Sequence, residues 1–252
     1  MHYLPSYVEE GEGEPLVLLM GLGAEGERWR PHVDAWAQHY RCIMIDNRGT
    51  GRSQDVEGPH TIGLLADDTA RLMDHLGLSG VRVAGVSMGS AITQRLMIDR
   101  PDLVGRAVLI APWSRVTPSV DITFDAIARA ARGREASLLR RILHNVTWTF
   151  EWTDSHPDEA AAFVDDPTSL PFDTIEKQAR ACASFDVVDE IGAVRVPTLV
   201  TLGASDLIIH PHLSRQTARL VHGADLIEYP TGHVHHFEEA DKFNHDVLEW
   251  IK

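Results

Sequence analysis

The chain has few cysteines, no excess of basic residues and no long apolar run. Its 252 residues include two cysteines, Cys42 in a strand-like run and Cys182 in a helix-like one, so we expect neither a disulfide framework nor a cysteine-based metal site. This favours a reducing compartment, and we expect a cytoplasmic protein. No segment approaches the roughly 18 apolar residues of a membrane span, and the segment from Met1 to Pro5 lacks the pattern of a secretory leader.

Acidic residues outnumber basic ones by 37 to 23, which gives a net charge of -14. This charge opposes binding to the phosphate backbone of nucleic acids, and no Lys/Arg-rich run offsets it. We therefore expect a small-molecule partner, and no nucleic-acid or membrane partner; whether the chain forms a homodimer stays open. The composition, 44% hydrophobic and 24% charged, is ordinary for a globular protein, and the length suits one α/β domain with an insertion.

Short apolar runs alternate with amphipathic segments, a pattern typical of a mostly parallel sheet with helices on both faces. Helical spacing is clearest at residues 61–76 and 243–251, which we expect to cover the sheet. The predicted strands are 16–20, 41–45, 81–86, 107–111, 198–202 and 226–229, with a weaker edge strand near 3–8.

Residues 112–197 interrupt this alternation, because they contain no clear strand. Short helices are predicted there at 122–131, 136–146, 157–164 and 174–184. The segment is too long for a loop in a compact domain, so we expect a helical cap, with residues 1–111 and 198–252 forming the body. The cap is rich in aromatic residues that together imply an apolar roof over a cleft, although any single one is more often a core residue; among them are Phe124, Trp148, Phe150, Trp152, Phe163 and Phe172.

A serine flanked by glycines lies between a predicted strand and a predicted helix, in the sequence Gly85-Val86-Ser87-Met88-Gly89. In a G-x-S-x-G elbow the serine adopts a strained backbone conformation, and side chains two positions away on either side would collide with the neighbouring strand or helix. The glycines provide the clearance. We therefore predict that Ser87 is a nucleophile.

An acid and a histidine follow later predicted strands, in the order Ser, Asp, His. Asp206 comes just after strand 198–202 and His233 just after strand 226–229, where a carboxylate could orient an imidazole. Asp225 is a weaker alternative acid, because it precedes its strand. His233, His235 and His236 also suggest a metal site, but no cysteine or acidic pair completes a ligand set, and we expect none.

The segment Met20-Gly21-Leu22-Gly23 follows the first predicted parallel strand and could direct a backbone N–H at a developing oxyanion. We predict the backbone N–H groups of Leu22 and Met88 as the two donors. The pocket residues that we predict are Met20, Leu22, Met88, Trp113, Trp148, Trp152 and Leu207.

Over nearly its whole length the chain resembles the α/β-hydrolase superfamily. The sequence 46–53, DNRGTGRS, matches the superfamily's D-x-R-G-x-G-x-S turn, and Gly203-x-x-Asp206 and Gly232-His233 match its acid and histidine segments. The resemblance implies an eight-stranded sheet, a cap inserted after the sixth strand and a Ser87-His233-Asp206 triad. The chain is most similar to capped esterases, enol-lactonases and carbon–carbon hydrolases, although Met20-Gly21 replaces the His-Gly that begins the oxyanion loop of many relatives.

The expected reaction is hydrolysis of a carboxylic ester or lactone through an acyl-enzyme on Ser87, without a cofactor. Carbon–carbon bond hydrolysis and cofactor-free perhydrolysis could use the same residues. Because a fold does not fix a function, a ligand receptor or a biosynthetic cyclase or lyase is the alternative of a different class.

Overall fold

Short runs of β-branched and aliphatic residues form the central strands of the molecule, and amphipathic segments form the helices around them. The computed structural model describes residues 3–252; Met1 and His2, at the start of the N-terminal segment considered above, lie outside the described residues. The strands are β1 (Tyr7–Glu10), β2 (Glu14–Leu19), β3 (Tyr40–Ile45), β4 (Val81–Val86), β5 (Val104–Ile110), β6 (Thr198–Gly203) and β7 (Asp225–Tyr229).

A short 3-10 helix (Gly26–Trp29) precedes the first α-helix. The helices are α1 (Arg30–Trp36), α2 (Ile62–His75), α3 (Met88–Asp99), α4 (Pro118–Arg132), α5 (Ala136–Thr147), α6 (Phe150–Ser155), α7 (Pro157–Val164), α8 (Phe172–Ala183), α9 (Val188–Ile191), α10 (Pro211–Leu220), α11 (His235–Glu238) and α12 (Ala240–Ile251).

The strands form one seven-stranded sheet in the order β1-β3-β2-β4-β5-β6-β7. Only β1 is antiparallel, and it pairs with β3 at the edge. The α/β fold class is confirmed, and a strand is present at each of the seven predicted places, the edge strand lying at 7–10 instead of 3–8. The eight-stranded sheet implied by the resemblance is wrong for this chain, because within residues 3–252 a single strand precedes β2 where eight strands would require two.

Both faces of the sheet are buried, and the two-residue periodicity of β2 shows how. Val17 and Leu19 pack in one hydrophobic cluster with residues of α2 and α3. Leu16 and Leu18 point to the opposite face and pack in a second cluster, which includes residues of α1 and α12. Strands that are buried on both faces read as continuous apolar runs, as these do, and their carboxyl ends are left as the edge on which a site can be built.

Six helices, α4 to α9, lie between β5 and β6, where the sequence predicted a helical insertion. The insertion therefore follows the fifth strand in chain order, since the sheet has one strand fewer than the resemblance implied. Helices α6 and α9 were not predicted; they have 6 and 4 residues, too few to show a clear helical period. The predicted aromatic residues are not all inward-facing, because Phe124 is buried whereas Phe150 is 67% exposed.

No helix within residues 3–252 combines the length and the apolar character needed to cross a membrane. Both cysteines are buried and free. Burial raises the pKa of the Cys42 thiol to about 12, so this thiol is a weak nucleophile.

Three histidines are buried in the aromatic packing between α1, α11 and α12. The ring of His32 stacks on Trp36 and on Phe237. The ring of His236 lies 4.2 Å from that of Phe237, and within residues 3–252 neither of its nitrogens has a hydrogen-bond partner. Burial lowers the pKa of His32 to about 4 and that of His235 to about 3, and it lowers the pKa of His236 as well. These three side chains are therefore neutral in the folded protein near pH 7.

Acid should destabilise the fold through these histidines. As the pH falls below about 6.5, histidines in the unfolded chain bind protons that the buried rings cannot bind, and each one costs about 1.4 kcal/mol of stability per pH unit until its folded pKa is reached. Replacing His236 with Phe removes one such group and two unpaired nitrogens. We therefore expect the melting temperature of this variant to fall less than that of the wild type when the pH is lowered from 7.5 to 5.5. The exposed His39→Phe is the control; an unchanged pH dependence in the His236 variant would refute the prediction.

Candidate active site

Ser87 lies at a sharp turn between β4 and α3. Its backbone has φ 53° and ψ -115°, a conformation that non-glycine residues rarely adopt. The turn is held on both sides, because the N–H of Ser87 donates to the carbonyl of Ile110 at 2.8 Å and its carbonyl accepts from Ser90 N at 2.8 Å. The side chain of Ser87 therefore projects at the carboxyl edge of the sheet, where the sequence predicted a nucleophile.

The two flanking glycines are required by backbone packing. A Cβ atom built on Gly85 would lie 2.2 Å from the carbonyl oxygen of Gly89, and one built on Gly89 would lie 2.1 Å from the carbonyl oxygen of Leu19. Both distances are far below van der Waals contact. The elbow therefore depends on the absence of side chains at these two positions.

Asp206 and His233 lie in the loops that follow β6 and β7. Their side chains are joined by a hydrogen bond of 2.7 Å between His233 Nδ1 and Asp206 Oδ2. The other carboxylate oxygen accepts from the N–H groups of Ile208 and Ile209, both at 2.8 Å. Because both oxygens are engaged and the side chain is buried, the carboxylate has one orientation, and it faces the imidazole.

The two loops also touch through their backbones. A Cβ atom on Gly203 would lie 1.9 Å from the carbonyl oxygen of Gly232, and Ser205 N donates to the carbonyl of Thr231 at 2.9 Å. Ser87, Asp206 and His233 are 8%, 2% and 4% exposed, so all three predicted triad residues are covered.

The Met20–Gly23 segment forms a tight turn beside Ser87. A Cβ atom on Gly21 would lie 3.5 Å from Cβ of Ser87, and Ala24 N donates to the carbonyl of Gly21 at 3.3 Å. Asn47 Nδ2 donates to the carbonyl of Met20 at 3.2 Å. In the part of the chain that the structure describes, the N–H groups of Leu22 and Met88 donate to no other protein group, which leaves both free for a ligand.

The other predicted pocket residues differ in their surroundings. Met20 and Met88 are buried, and Leu22 is half-buried. The half-buried rings of Trp148 and Trp152 stack with their centroids 3.8 Å apart. Trp113 is fully buried against Phe124 and Phe185 in the core, so its ring forms part of the packing beneath the cap. Leu207 is 60% exposed, which places it at the surface next to Asp206.

The geometry favours neither Asp225 as the acid nor a metal site at the cluster of His233, His235 and His236. Asp225 is exposed at the start of β7, where its carboxylate accepts from Trp250 Nε1 at 2.7 Å. His235 is buried and its Nε2 lies 2.8 Å from Thr201 Oγ1. Across residues 3–252, no cluster of three or more His, Cys, Asp or Glu side chains is arranged to hold a metal ion.

The DNRGTGRS segment is a structural turn, as expected. Its first residue, Asp46, accepts from Gly26 N at 2.7 Å and from Arg52 N at 2.9 Å. Arg48 is buried and makes two hydrogen bonds of 2.8 Å with the carboxylate of Asp68 on α2. The turn therefore fastens the loop after β3 beside the Met20–Gly23 segment.

Polar contacts between the inserted helices α4 to α9 and the rest of the chain were not predicted, and two of them lie beside the predicted site residues. Gln178 on α8 reaches the backbone of Gly23, and the carboxylate of Glu238 accepts from Thr149 N at 3.2 Å and from Gly232 N at 3.1 Å. A single glutamine in an amphipathic helix has no sequence signal that could predict such a contact.

Residues 14–240 match the family model described as the alpha/beta hydrolase fold. The chain belongs to the α/β-hydrolase family. It is 30% identical over 267 residues to BpoC of Mycobacterium tuberculosis (strain H37Rv), named as a candidate non-heme bromoperoxidase, with 98% of this chain and 97% of BpoC covered. It is 28% identical to RutD of Caulobacter sp. (strain K31), named as a candidate carbamate hydrolase, with 94% and 90% covered.

Among solved structures, this α/β hydrolase resembles the enol-lactonase from Burkholderia xenovorans LB400. The TM-score is 0.90 and the identity 27%, and the match covers 98% of this chain and 96% of the enol-lactonase. The crystal structure of BpoC also gives a TM-score of 0.90, with 99% of this chain and 96% of BpoC covered. The family and the named activities of these relatives support a hydrolase.

The steric need for glycine at position 89 of the elbow can be tested by substitution. Gly89→Ala should destabilise the protein by about 3 kcal/mol or more, because the new Cβ meets a backbone oxygen that cannot move away. Gly63→Ala is a matched control, since Gly63 is also the second residue of its helix, α2, and a Cβ there would lie 3.9 Å from Oγ1 of Thr61, an ordinary contact. The control should be neutral or stabilising by about 0.5 to 1 kcal/mol. Urea unfolding measures both, and equal stabilities would disprove the argument.

Proposed function

We propose that this chain is a serine hydrolase that cleaves a carboxylic ester or lactone of a small, largely apolar molecule. The observation that carries the proposal is the buried 2.7 Å hydrogen bond between His233 Nδ1 and Asp206 Oδ2, on the same sheet edge as the strained elbow at Ser87. A carboxylate accepts a hydrogen bond from Nδ1–H, which keeps the proton on Nδ1 and leaves the lone pair of Nε2 available as a base. An oriented base and a serine at an elbow are the two requirements of acyl transfer.

In the first half of the reaction, Ser87 Oγ attacks the acyl carbon while His233 Nε2 takes the hydroxyl proton. The carbonyl oxygen becomes an oxyanion, which accepts hydrogen bonds from the N–H groups of Leu22 and Met88. When the tetrahedral intermediate collapses, the bond to the alcohol oxygen breaks and the imidazolium returns the proton to that oxygen. The products are an acyl-enzyme on Ser87 and a free alcohol, or a ring-opened acyl-enzyme when the substrate is a lactone.

In the second half, His233 takes a proton from water as the water oxygen attacks the acyl-enzyme. The same two N–H groups hold the oxyanion, and collapse returns the proton to Ser87 and releases the acid. Asp206 stays ionised and stabilises the imidazolium in both halves. No cofactor or metal takes part in this sequence.

The expected substrate is small and largely apolar. Met20, Met88 and Leu22 lie around the elbow, and the stacked rings of Trp148 and Trp152 belong to the cap. The structural match to an enol-lactonase at 27% identity favours lactones among acyl substrates. A carbamate also has an acyl carbon, so the RutD relatives make carbamates a reasonable addition to a substrate panel.

Perhydrolysis is the second candidate, and the similarity to BpoC favours it. Hydrogen peroxide would replace water in the attack on the acyl-enzyme, which would release a peracid by the same proton transfers. Carbon–carbon hydrolysis through the same residues, and ligand binding without turnover, remain alternatives that the substrate panel tests. We also propose that the protein works in a reducing compartment, the cytoplasm, because its two cysteines are free and buried.

Ser87→Ala should abolish hydrolysis of p-nitrophenyl butyrate and dihydrocoumarin, because no other group forms the acyl-enzyme. A fluorophosphonate probe should label the wild-type protein at Ser87 and should not label the variant. The exposed Ser79→Ala is the control and should retain both activity and labelling. Activity that survives in Ser87→Ala would rule out the acyl-enzyme, and a wild-type protein that resists the probe would favour a non-hydrolytic function.

Asp206→Asn should lower kcat by about 10³- to 10⁴-fold, because an amide cannot hold His233 in the tautomer that frees Nε2. Asp225→Asn removes the alternative acid and should leave kcat within about twofold, since Asp225 bonds to Trp250. Steady-state kinetics with p-nitrophenyl butyrate, supported by melting temperatures, measure both effects. The reverse ranking of the two variants would assign the acid to Asp225.

A further inference from the structure

One side chain of the cap bonds to the turn that contains Leu22. Gln178 lies on α8 and is fully buried. Its Oε1 accepts from the N–H of Gly23 at 2.7 Å, and its Nε2 donates to the carbonyl of Arg48 at 3.2 Å. A single amide thus joins the cap to two loops of the body, those that follow β2 and β3.

The hydrogen bond to Gly23 acts on the residue next to the predicted oxyanion donor. Gly23 has a positive φ of 72°, and a Cβ there would lie 2.9 Å from Cγ1 of Ile175, so α8 packs directly on this residue. The carbonyl of Gly21 is already turned toward Ala24 N. In a trans peptide the N–H points opposite to the carbonyl, so the Leu22 N–H points away from Ala24. The peptide planes on both sides of Leu22 are therefore fixed, one by the turn and one by Gln178.

We propose that Gln178 is a positioning residue for the oxyanion hole, one that holds the Leu22 N–H in its catalytic direction from the cap. The inference rests on the proposed serine-hydrolase function. The amide oxygen of Gln178 accepts the hydrogen bond of the Gly23 N–H, so the N–H of Leu22 is the neighbouring group of this turn that can donate to the substrate oxygen. Donors in an oxyanion hole contribute because they are oriented before the charge develops, so a loosened turn lowers kcat while substrate binding is little changed.

Packing alone does not explain a glutamine at this position. An apolar side chain of similar size could fill the same buried volume without the cost of desolvating an amide. The two hydrogen bonds of Gln178 offset that cost, and they also satisfy two backbone groups that belong to loops and that, in the described part of the chain, have no strand or helix partner. Thr174, one helical turn earlier, provides a useful contrast. Its hydroxyl donates to the carbonyl of Gly49 at 3.1 Å and so fastens α8 to the loop after β3, and within residues 3–252 it makes no hydrogen bond to the Met20–Gly23 turn.

The test compares Gln178→Met, which keeps the volume and loses both hydrogen bonds, with Thr174→Val as the matched control. The concentration of active enzyme is measured by titration with the fluorophosphonate probe, so that unfolded protein does not lower the apparent kcat. With p-nitrophenyl butyrate, kcat per titrated site should fall about tenfold or more in Gln178→Met with KM within about threefold. Thr174→Val should stay within about twofold of wild type. An aryl trifluoromethyl ketone, which forms a tetrahedral oxyanion on the serine, should lose affinity in the same proportion as kcat/KM.

Unchanged kcat per titrated site in Gln178→Met would overturn the proposal, and so would a loss of kcat without loss of affinity for the trifluoromethyl ketone. If Gln178→Met fails to fold, Gln178→Asn decides, because the shorter amide keeps its polarity but cannot reach both loops; its kcat should fall in the same way, and a wild-type value would refute the role. A wild-type protein that neither labels nor hydrolyses would instead overturn the proposed function itself. The two failures are thus distinguishable.

Discussion

The site depends on the close approach of the first turn of α3 to the end of β2. At Gly89 the helix backbone comes so near to the carbonyl of Leu19 that no side chain fits between them. Because β2 continues directly into the Met20–Gly23 turn, this contact also determines how far that turn lies from Ser87. A single steric constraint therefore sets two distances, from β2 to α3 and from Ser87 to the Met20–Gly23 turn.

Polar groups at the carboxyl edge of the sheet are buried but well paired. Asp46, Arg48, Asp206 and Gln178 each make two or more hydrogen bonds of good length to backbone or to a charged partner. His236 differs, because it is equally buried and neither of its nitrogens has a partner within residues 3–252. Full pairing gives the polar groups at the carboxyl edge single orientations, whereas the unpaired ring of His236 adds volume to the core at the cost of two buried nitrogens without hydrogen bonds.

Much of the fold could be predicted from the sequence, because the strands are continuous apolar runs and the covering helices have a clear period. The α/β-hydrolase fold follows from these runs together with the elbow at Ser87. The places of Asp206 and His233 were also predictable, since residues that follow parallel strands meet at one edge. The eighth strand was implied by resemblance alone, and no residues of the chain supported it.

The parts that escaped prediction are tertiary contacts. Trp113 was predicted to line the pocket. In the fold its ring packs against Phe124 and Phe185 in the core, a contact that the sequence does not reveal. Leu207 follows the buried Asp206 directly in sequence, and its side chain is nevertheless exposed to solvent. Gln178 lies more than a hundred residues from Gly23, and its place on the inner side of α8 depends on how the cap rests on the body. Local periodicity carries no information about such pairs.

The cap, formed by α4 to α9, rests on the body through backbone groups of the loops that follow β2, β3 and β7. Besides Gln178, the carboxylate of Glu238 binds Thr149 of the cap and Gly232 beside His233, and Val234 N donates to the carbonyl of Thr147. For protein engineering this means that residues 112–197 are not an exchangeable module. A chimera that takes these residues from a relative would lose the contacts that Gln178 makes with Gly23 and Thr149 makes with Glu238, so both residues would have to be carried over for the recipient body to keep its geometry.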